Sequence, residues 1–302
     1  MPGGLLGIEP LERVEIEGIL DRAKRFQPRQ TDTRKSDQLR GCMIVNLFFE
    51  ASTRTRTSFE IAAKRLGADA ISITASASSV SKGESLVDTL NTLAAMHPDA
   101  IVMRHAASGA PHFLARYLPT PIINAGDGTH EHPTQALLDA RTILDRRPTL
   151  EGLRVAIIGD IAHSRVARSN MYLLSKFAAQ IVLCGPATLL PPQLEHLAPN
   201  ISLTHKMEEA IRDADVIMML RVQLERQHEA AFSANEYFQF YGLRLEHLKL
   251  AKPDVMVMHP GPINRGREIS SEVADSQRSV ILNQVENGIA VRMAVLERIL
   301  GS

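Results

Sequence analysis

Short apolar blocks recur along this chain, each followed by a polar turn and then by apolar positions at helical spacing. In the first half the blocks are Met43–Phe49 (broken by Asn46), Ala70–Ile73, Ala100–Met103 and Pro121–Asn124. In the second half they are Arg154–Ile158, Gln180–Cys184, Val216–Leu220 and Val255–His259. Blocks this short and this apolar predict buried strands. After the first block, Phe59, Ala62, Ala63 and Leu66 fall at i, i+3, i+4 and i+7, the spacing of an amphipathic helix. Further helices are predicted over Glu12–Phe26, Pro133–Leu144 and Ile289–Leu300, with a polar, basic connector over Gln27–Arg40.

Strands alternating with helices imply right-handed crossovers and parallel sheets with both faces covered. The rhythm occurs twice, so the expected fold class is α/β: two doubly wound parallel-sheet domains linked by interdomain helices. The helix over Pro133–Leu144 and the Arg146-Arg147-Pro148 punctuation place the boundary, giving domains 1–134 and 135–287. The stretch Leu224–Leu250 is long, polar and histidine-bearing. It reads as an active-site loop, with an inert surface insertion as the bland alternative. Ligands of open α/β sheets sit beyond the carboxyl ends of the strands.

Composition narrows the classes. With 302 residues, 44% of them hydrophobic, the chain can fill two cores. Its formal net charge is zero, which argues against a general nucleic-acid or membrane-surface binder. Cys42 and Cys184 stand far apart with no ligand spacing, so neither a disulfide scaffold nor a zinc site is expected, and a reducing, cytoplasmic location is. The start, Met1 to Leu6, lacks a basic region and is soon followed by Glu9, Glu12, Glu15 and Glu17, unlike a signal peptide. No apolar run approaches the roughly 20 residues of a spanning helix.

Anion chemistry must then come from locally gathered cations. Ser52, Thr53, Arg54, Thr55 and Arg56 fall on the turn between the first strand and its helix. Orphan N–H groups and the positive helix end favour an anion there, and guanidinium forks match phosphate oxygens. An ordinary Ser/Thr cap needs one hydroxyl, whereas several are present. Arg104 ends another strand. Asp127-Gly128-Thr129-His130-Glu131-His132-Pro133-Thr134-Gln135 precedes a helix, with His132 and Gln135 near its first turn. A histidine at a helix N-terminus stays neutral and can donate to a carbonyl oxygen. His130 and His132 suggest a metal pair, but no third ligand of suitable spacing appears, so no metal is expected. Gly159-Asp160-Ile161-Ala162-His163-Ser164-Arg165 opens a helix without the glycines of a dinucleotide loop, and Arg165 points to a carboxylate instead. Arg221 and Gln223, two apart at a strand end, can grip one ligand together. Ser78 to Ser85, with Lys82 and Gly83, is by itself most simply a solvated loop. No cofactor motif stands out.

The run Ser52-Thr53-Arg54-Thr55-Arg56 closely resembles the carbamoyl-phosphate signature of the transcarbamoylase family, and His132-Pro133-Thr134-Gln135 is similar to the family's second motif. Four further features follow in order. Ser78 and Lys82 resemble the loop that, in the family, reaches into a neighbouring subunit's site. Arg165 follows, then Arg221-Val222-Gln223, which looks like the side-chain-carboxylate reader of the aspartate-using branch. Last comes His259-Pro260-Gly261-Pro262. The Ser-Met-Gly and His-Cys-Leu-Pro segments of ornithine-using members are absent. Gly261 departs from the Leu or Ala frequent between those prolines, which is expected to loosen the loop while leaving its carbonyls in place.

The resemblance implies transfer of a carbamoyl group from carbamoyl phosphate to the amine of L-aspartate, giving N-carbamoyl-L-aspartate and phosphate in pyrimidine synthesis. It further implies that Ser52, Thr53, Arg54, Thr55 and Arg104 hold the phosphate, with Ser78 and Lys82 from an adjacent subunit. Thr55, Arg104 and His132 would polarise the carbonyl, and Gln135 with the carbonyls around Gly261 and Pro262 would bind the carbamoyl amine. Lys82, Arg165, Arg221 and Gln223 would read aspartate. Residues 288–302 would return to complete the first domain. A homotrimer with shared sites follows, open to higher assembly with a dihydroorotase or a regulatory chain. The competing readings are another acceptor, such as ornithine, and a non-catalytic paralogue.

Overall fold

The structure, a computed structural model, describes residues 4–27, 35–74, 86–221 and 233–301. Ser78, Lys82 and Gln223 lie outside the described residues, as does the start of the Leu224–Leu250 stretch. The chain divides into two compact units, one of residues 1–141 with 286–302 and the other of residues 142–285.

In the first unit the elements run β1 (Gly4–Leu5), α1 (Arg13–Arg25), β2 (Met43–Phe48), α2 (Thr53–Arg65) and β3 (Asp69–Thr74). They continue with α3 (Leu86–Ala94), β4 (Ala100–His105), α4 (Ala110–Leu114), β5 (Ile122–Asp127) and α5 (Pro133–Leu144), within which the division falls. The sheet is five-stranded and parallel, in the order β1-β5-β4-β2-β3. Leu47, Ile101, Met103 and Ile122 of its central strands pack with Leu90 and Leu114 from the covering helices.

Strand β1 was not among the expected strands. It is two residues long, too short for any period to show. Gly4 has φ 91°, and a Cβ there would collide with the carbonyl of Ile122, so only glycine lets this edge strand pair with β5.

The second unit runs β6 (Arg154–Ile158), α6 (Arg165–Lys176), β7 (Gln180–Cys184), β8 (Ile201–Thr204), α7 (Met207–Ile211) and β9 (Val216–Met219). It ends with α8 (Ala234–Tyr241), β10 (Met256–Met258) and α9 (Ser271–Ala274). Its sheet is also five-stranded and parallel, in the order β10-β9-β6-β7-β8. The core gathers Ile158, Val182, Ile217, Met219 and Val257. Strand β8 was also unexpected: its alternating Ile-Ser-Leu-Thr sequence marks a half-exposed edge strand rather than a buried block. Both cysteines are free, and burial pushes the Cys184 thiol up to about 12.

The closing helix α10 (Ile281–Leu300) starts earlier than its apolar pattern suggests, because Leu282 and Val285 in its first turns are exposed. From Glu286 onward it belongs to the first unit. There Arg298 Nη2 lies 2.6 Å from Glu15 of α1, and the buried Arg292 guanidinium sits 5.1 Å from the Phe59 ring centre.

Candidate active site

The C-terminal ends of β2, β4 and β5 carry the first cluster. β2 lies between β3 and β4, with Phe48 opposite both Thr74 and Arg104, so the turn into α2 stands beside Arg104. Ser52 occupies the N-cap of α2 in extended conformation, and its hydroxyl makes no capping bond. Arg56 N, bonded to Ser52 O at 3.2 Å, marks where the helical ladder begins, and the first turn holds no acid. The hydroxyls and the amides of the first turn therefore face a site suited to an anion. A hollow of about 250 Å³ opens here, lined by Phe48, Phe49, Glu50, Ala51, Ser52, Thr53, Arg56 and Thr74. Thr55 is buried, whereas Thr53 and Arg54 are exposed.

Arg104 is anchored twice: Nη1 donates to Ala125 O at 3.1 Å, and Nε lies 3.3 Å from Glu50 Oε2. Glu50 and Thr74 were missed by sequence reasoning, and Arg56, part of the expected turn, was given no role of its own. For Glu50 the signal would have been an acid beside an expected anion cradle. Here it serves to hold the Arg104 guanidinium.

Between β5 and α5 the turn is built around the fully buried Asp127. Its carboxylate accepts from Gly109 N (2.6 Å), Asn124 Nδ2 (2.8 Å), His130 Nδ1 (3.0 Å) and Glu131 N (3.1 Å). Burial alone would raise its pKa, but the bonds from His130, Asn124 and Gly109 outweigh that and hold it below the usual value. The post fixes the turn that delivers His132 and Gln135, both buried, to the start of α5. Gln135 N donates to His132 O at 2.9 Å, and Gln135 Nε2 donates to Asp139 Oδ1 at 2.9 Å.

In the second unit, β6 and β9 are neighbours, with Ile158 opposite Met219. Leu220 N donates to Ile158 O at 2.8 Å, so the two strand ends stay paired as they leave the sheet. Gly159, at φ 137°, lets them close: a Cβ would sit 3.0 Å from that of Leu220. Arg165, buried, opens α6 behind the N-cap Ser164, whose side chain accepts from Ala167 N. Arg221, half-buried, follows β9. Arg165 and Arg221 thus follow neighbouring strands, the one opening the helix after β6 and the other two residues past the end of β9, and two guanidinium groups match a ligand with two carboxylates.

After β10 the loop from His259 to Arg265 carries hydrogen bonds at Gly261 and Asn264. Gly261 N donates to His259 Nδ1 (2.8 Å), and His259 Nε2 lies 3.2 Å from Glu268 Oε1, which also accepts from Asn264 N (2.7 Å). Gly261 has φ 66°, a conformation that costs glycine little.

Comparison with known proteins bears on the same regions. Residues 4–145 match the aspartate/ornithine carbamoyltransferase, carbamoyl-P binding domain, and residues 151–299 match the Asp/Orn binding domain of that family. The chain is 81% identical over 302 residues to the aspartate carbamoyltransferase catalytic subunit of Solibacter usitatus, covering 100% of both. It is 56% identical over 299 residues to that of Geobacter sulfurreducens, covering 98% of this chain and 96% of the relative. Aspartate transcarbamoylase from Trypanosoma cruzi, solved with carbamoyl aspartate and phosphate, superposes with a TM-score of 0.90 at 33% identity over 98% of this chain and 95% of that one. Ornithine carbamoyltransferase from Pyrococcus furiosus superposes with a TM-score of 0.89 at 32% identity, covering 100% and 98%. The backbone is thus alike for both acceptors, so the choice between them lies in side chains.

Proposed function

The chain belongs to the aspartate/ornithine carbamoyltransferase family, and from this we infer that it is an enzyme moving the carbamoyl group of carbamoyl phosphate to L-aspartate. The products are N-carbamoyl-L-aspartate and phosphate, in pyrimidine synthesis. The observation that carries the choice of acceptor is the pair of arginines, Arg165 and Arg221, in the segments that follow the neighbouring strands β6 and β9. Aspartate brings two carboxylates to them. Ornithine would bring an ammonium group, which the second guanidinium repels.

The donor's phosphate is assigned to Ser52, Thr53, Arg54, Thr55 and Arg104, with Ser78 and Lys82 supplied by a neighbouring subunit. Thr55, Arg104 and His132 polarise the carbonyl oxygen, and Gln135 with the carbonyls of Gly261 and Pro262 takes the carbamoyl amine. Gln223 joins Arg165, Arg221 and Lys82 on aspartate. The deprotonated amine adds to the carbonyl carbon, and the oxygen takes the negative charge. Collapse of the tetrahedral adduct breaks the bond from carbon to the phosphate oxygen, and the leaving phosphate accepts the amine proton. Each donor on the oxyanion contributes about 3–4 kcal/mol of barrier lowering, so no protein nucleophile is needed.

The family likeness supports a homotrimer with sites shared between subunits, open to partnership with a dihydroorotase or a regulatory chain, and a cytoplasmic setting. No helix among the described residues is long and apolar enough to cross a membrane. The test is product formation by purified protein from carbamoyl phosphate with aspartate and, in parallel, ornithine. Carbamoyl-aspartate alone is expected; citrulline in its place, or no transfer, would overturn the assignment.

A further inference from the structure

A cluster beside the proposed substrate groups carries ligand chemistry of another kind. His112 comes from α4 and His130 from the turn before α5, with ring centres 5.2 Å apart at 74°. One ring nitrogen of each and a carboxylate oxygen of Asp127 lie within 4.8 Å of one another. Glu9 and Glu131 place carboxylate oxygens within the same reach of His130.

Two features set this group apart from a chance gathering. The first is His112 Nδ1, which is buried and has no hydrogen-bond partner. A buried imidazole nitrogen left so is costly, and a ligand at that point removes the cost. The second is the contact between His130 Nδ1 and Asp127 Oδ2, at 3.0 Å. With nitrogen ligands at about 2.0–2.1 Å, neighbouring donors on a tetrahedral ion stand a little over 3 Å apart, and two bound imidazoles have ring centres about 5 Å apart. Both spacings are already present. Neutral imidazole and ionised carboxylate are the forms that bind metals.

We propose that His112, His130 and Asp127 form a site for a divalent transition ion of the zinc class, the ion replacing the proton between His130 Nδ1 and Asp127 Oδ2. The displaced ring proton moves to Nε2, so His130 stays neutral. Two imidazoles and one carboxylate suit zinc and its neighbours better than magnesium or calcium. The sequence did not show this set because it pairs His130 with His132. His112 meets His130 only once α4 has packed beside β5. A bound ion would pin α4 to the turn that carries His132.

Full-length protein stripped with EDTA is titrated with Co²⁺ and with Zn²⁺, following the cobalt d–d bands and binding heats. One ion per chain is expected, with bands of low coordination number. His112→Asn and, separately, His130→Asn should each weaken binding by roughly tenfold or more. The exposed His196→Asn should leave it unchanged. Circular dichroism establishes that each variant is folded, and either folded variant decides the matter. Absence of a stoichiometric ion in the wild type, or binding unaltered by loss of His112 or His130, overturns the proposal.

Discussion

Gln135 Nε2 donates to Asp139 Oδ1 at 2.9 Å, one turn further along α5. Because an ionised carboxylate only accepts, the bond fixes which end of the Gln135 amide is nitrogen. Its oxygen is left to accept from a carbamoyl N–H. Asp139 is fully buried, and its charge acts on the equally buried Arg292, whose pKa burial lowers to about 10 against the pull of Asp139. Replacing Asp139 by Asn keeps an acceptor for Gln135 but removes the charge facing Arg292. The expected loss is on the order of 3 kcal/mol, read by urea unfolding. The double variant with Arg292→Met should recover most of it. Full stability in Asp139→Asn alone would show that the two charges are not coupled.

Arg54 is exposed while Arg56 lines the hollow. Arg54→Ala should lower kcat by about 100-fold or more with the melting temperature unchanged, since an exposed arginine contributes little to folding but, assigned to the donor's phosphate, much to the charge that develops on it in the transition state. Near-normal turnover would move the cradle's cation to Arg56.

Arg221→Gln should raise the KM for aspartate steeply and leave that for carbamoyl phosphate nearly as it was, as the two ligands are assigned to different units. Equal loss of both in steady-state kinetics would make Arg221 a structural residue.

Most strands that could be read from sequence are buried blocks such as β5, but β3, read as such a block at Ala70–Ile73, has no fully buried side chain. Of the four edge strands, β3 and β10 were read while β1 and β8 escaped, one being too brief and the other only partly buried. Site residues at strand ends were legible for a related reason: a polar cluster after an apolar block has few places to go. The pair Gln135–Asp139 was within reach too, being spaced i, i+4 on one helix. Glu50 beside Arg104, and His112 beside His130, depend on neighbouring strands and on packing between elements. No local pattern announces them.

Acid should act through Asp127. Its pKa in the fold lies below the ordinary 3.8, so its contribution is complete above that pH and is lost as the pH falls through the folded value. The stability gap between wild type and Asp127→Asn should therefore narrow at low pH in chemical denaturation. A gap that stays constant would mean that the carboxylate is not the source.

Subunit sharing is open to complementation. Lys82→Ala and Arg54→Ala, each inactive, should regain activity when mixed after gentle dissociation. In a cyclic trimer one arrangement of neighbours puts both lesions in one site and leaves another site intact. Proven exchange without recovery would place Lys82 in its own subunit's chemistry, or in none.

The first unit is assembled from both ends of the chain, residues 1–141 and 286–302, whereas the second is one continuous stretch. The residues of the second unit are all translated before 286–302, the part of α10 that belongs to the first. The N-terminal sheet, translated first, must wait for the last residues before Arg292 can cover Phe59. Of the two halves, the one begun first is therefore the one finished second.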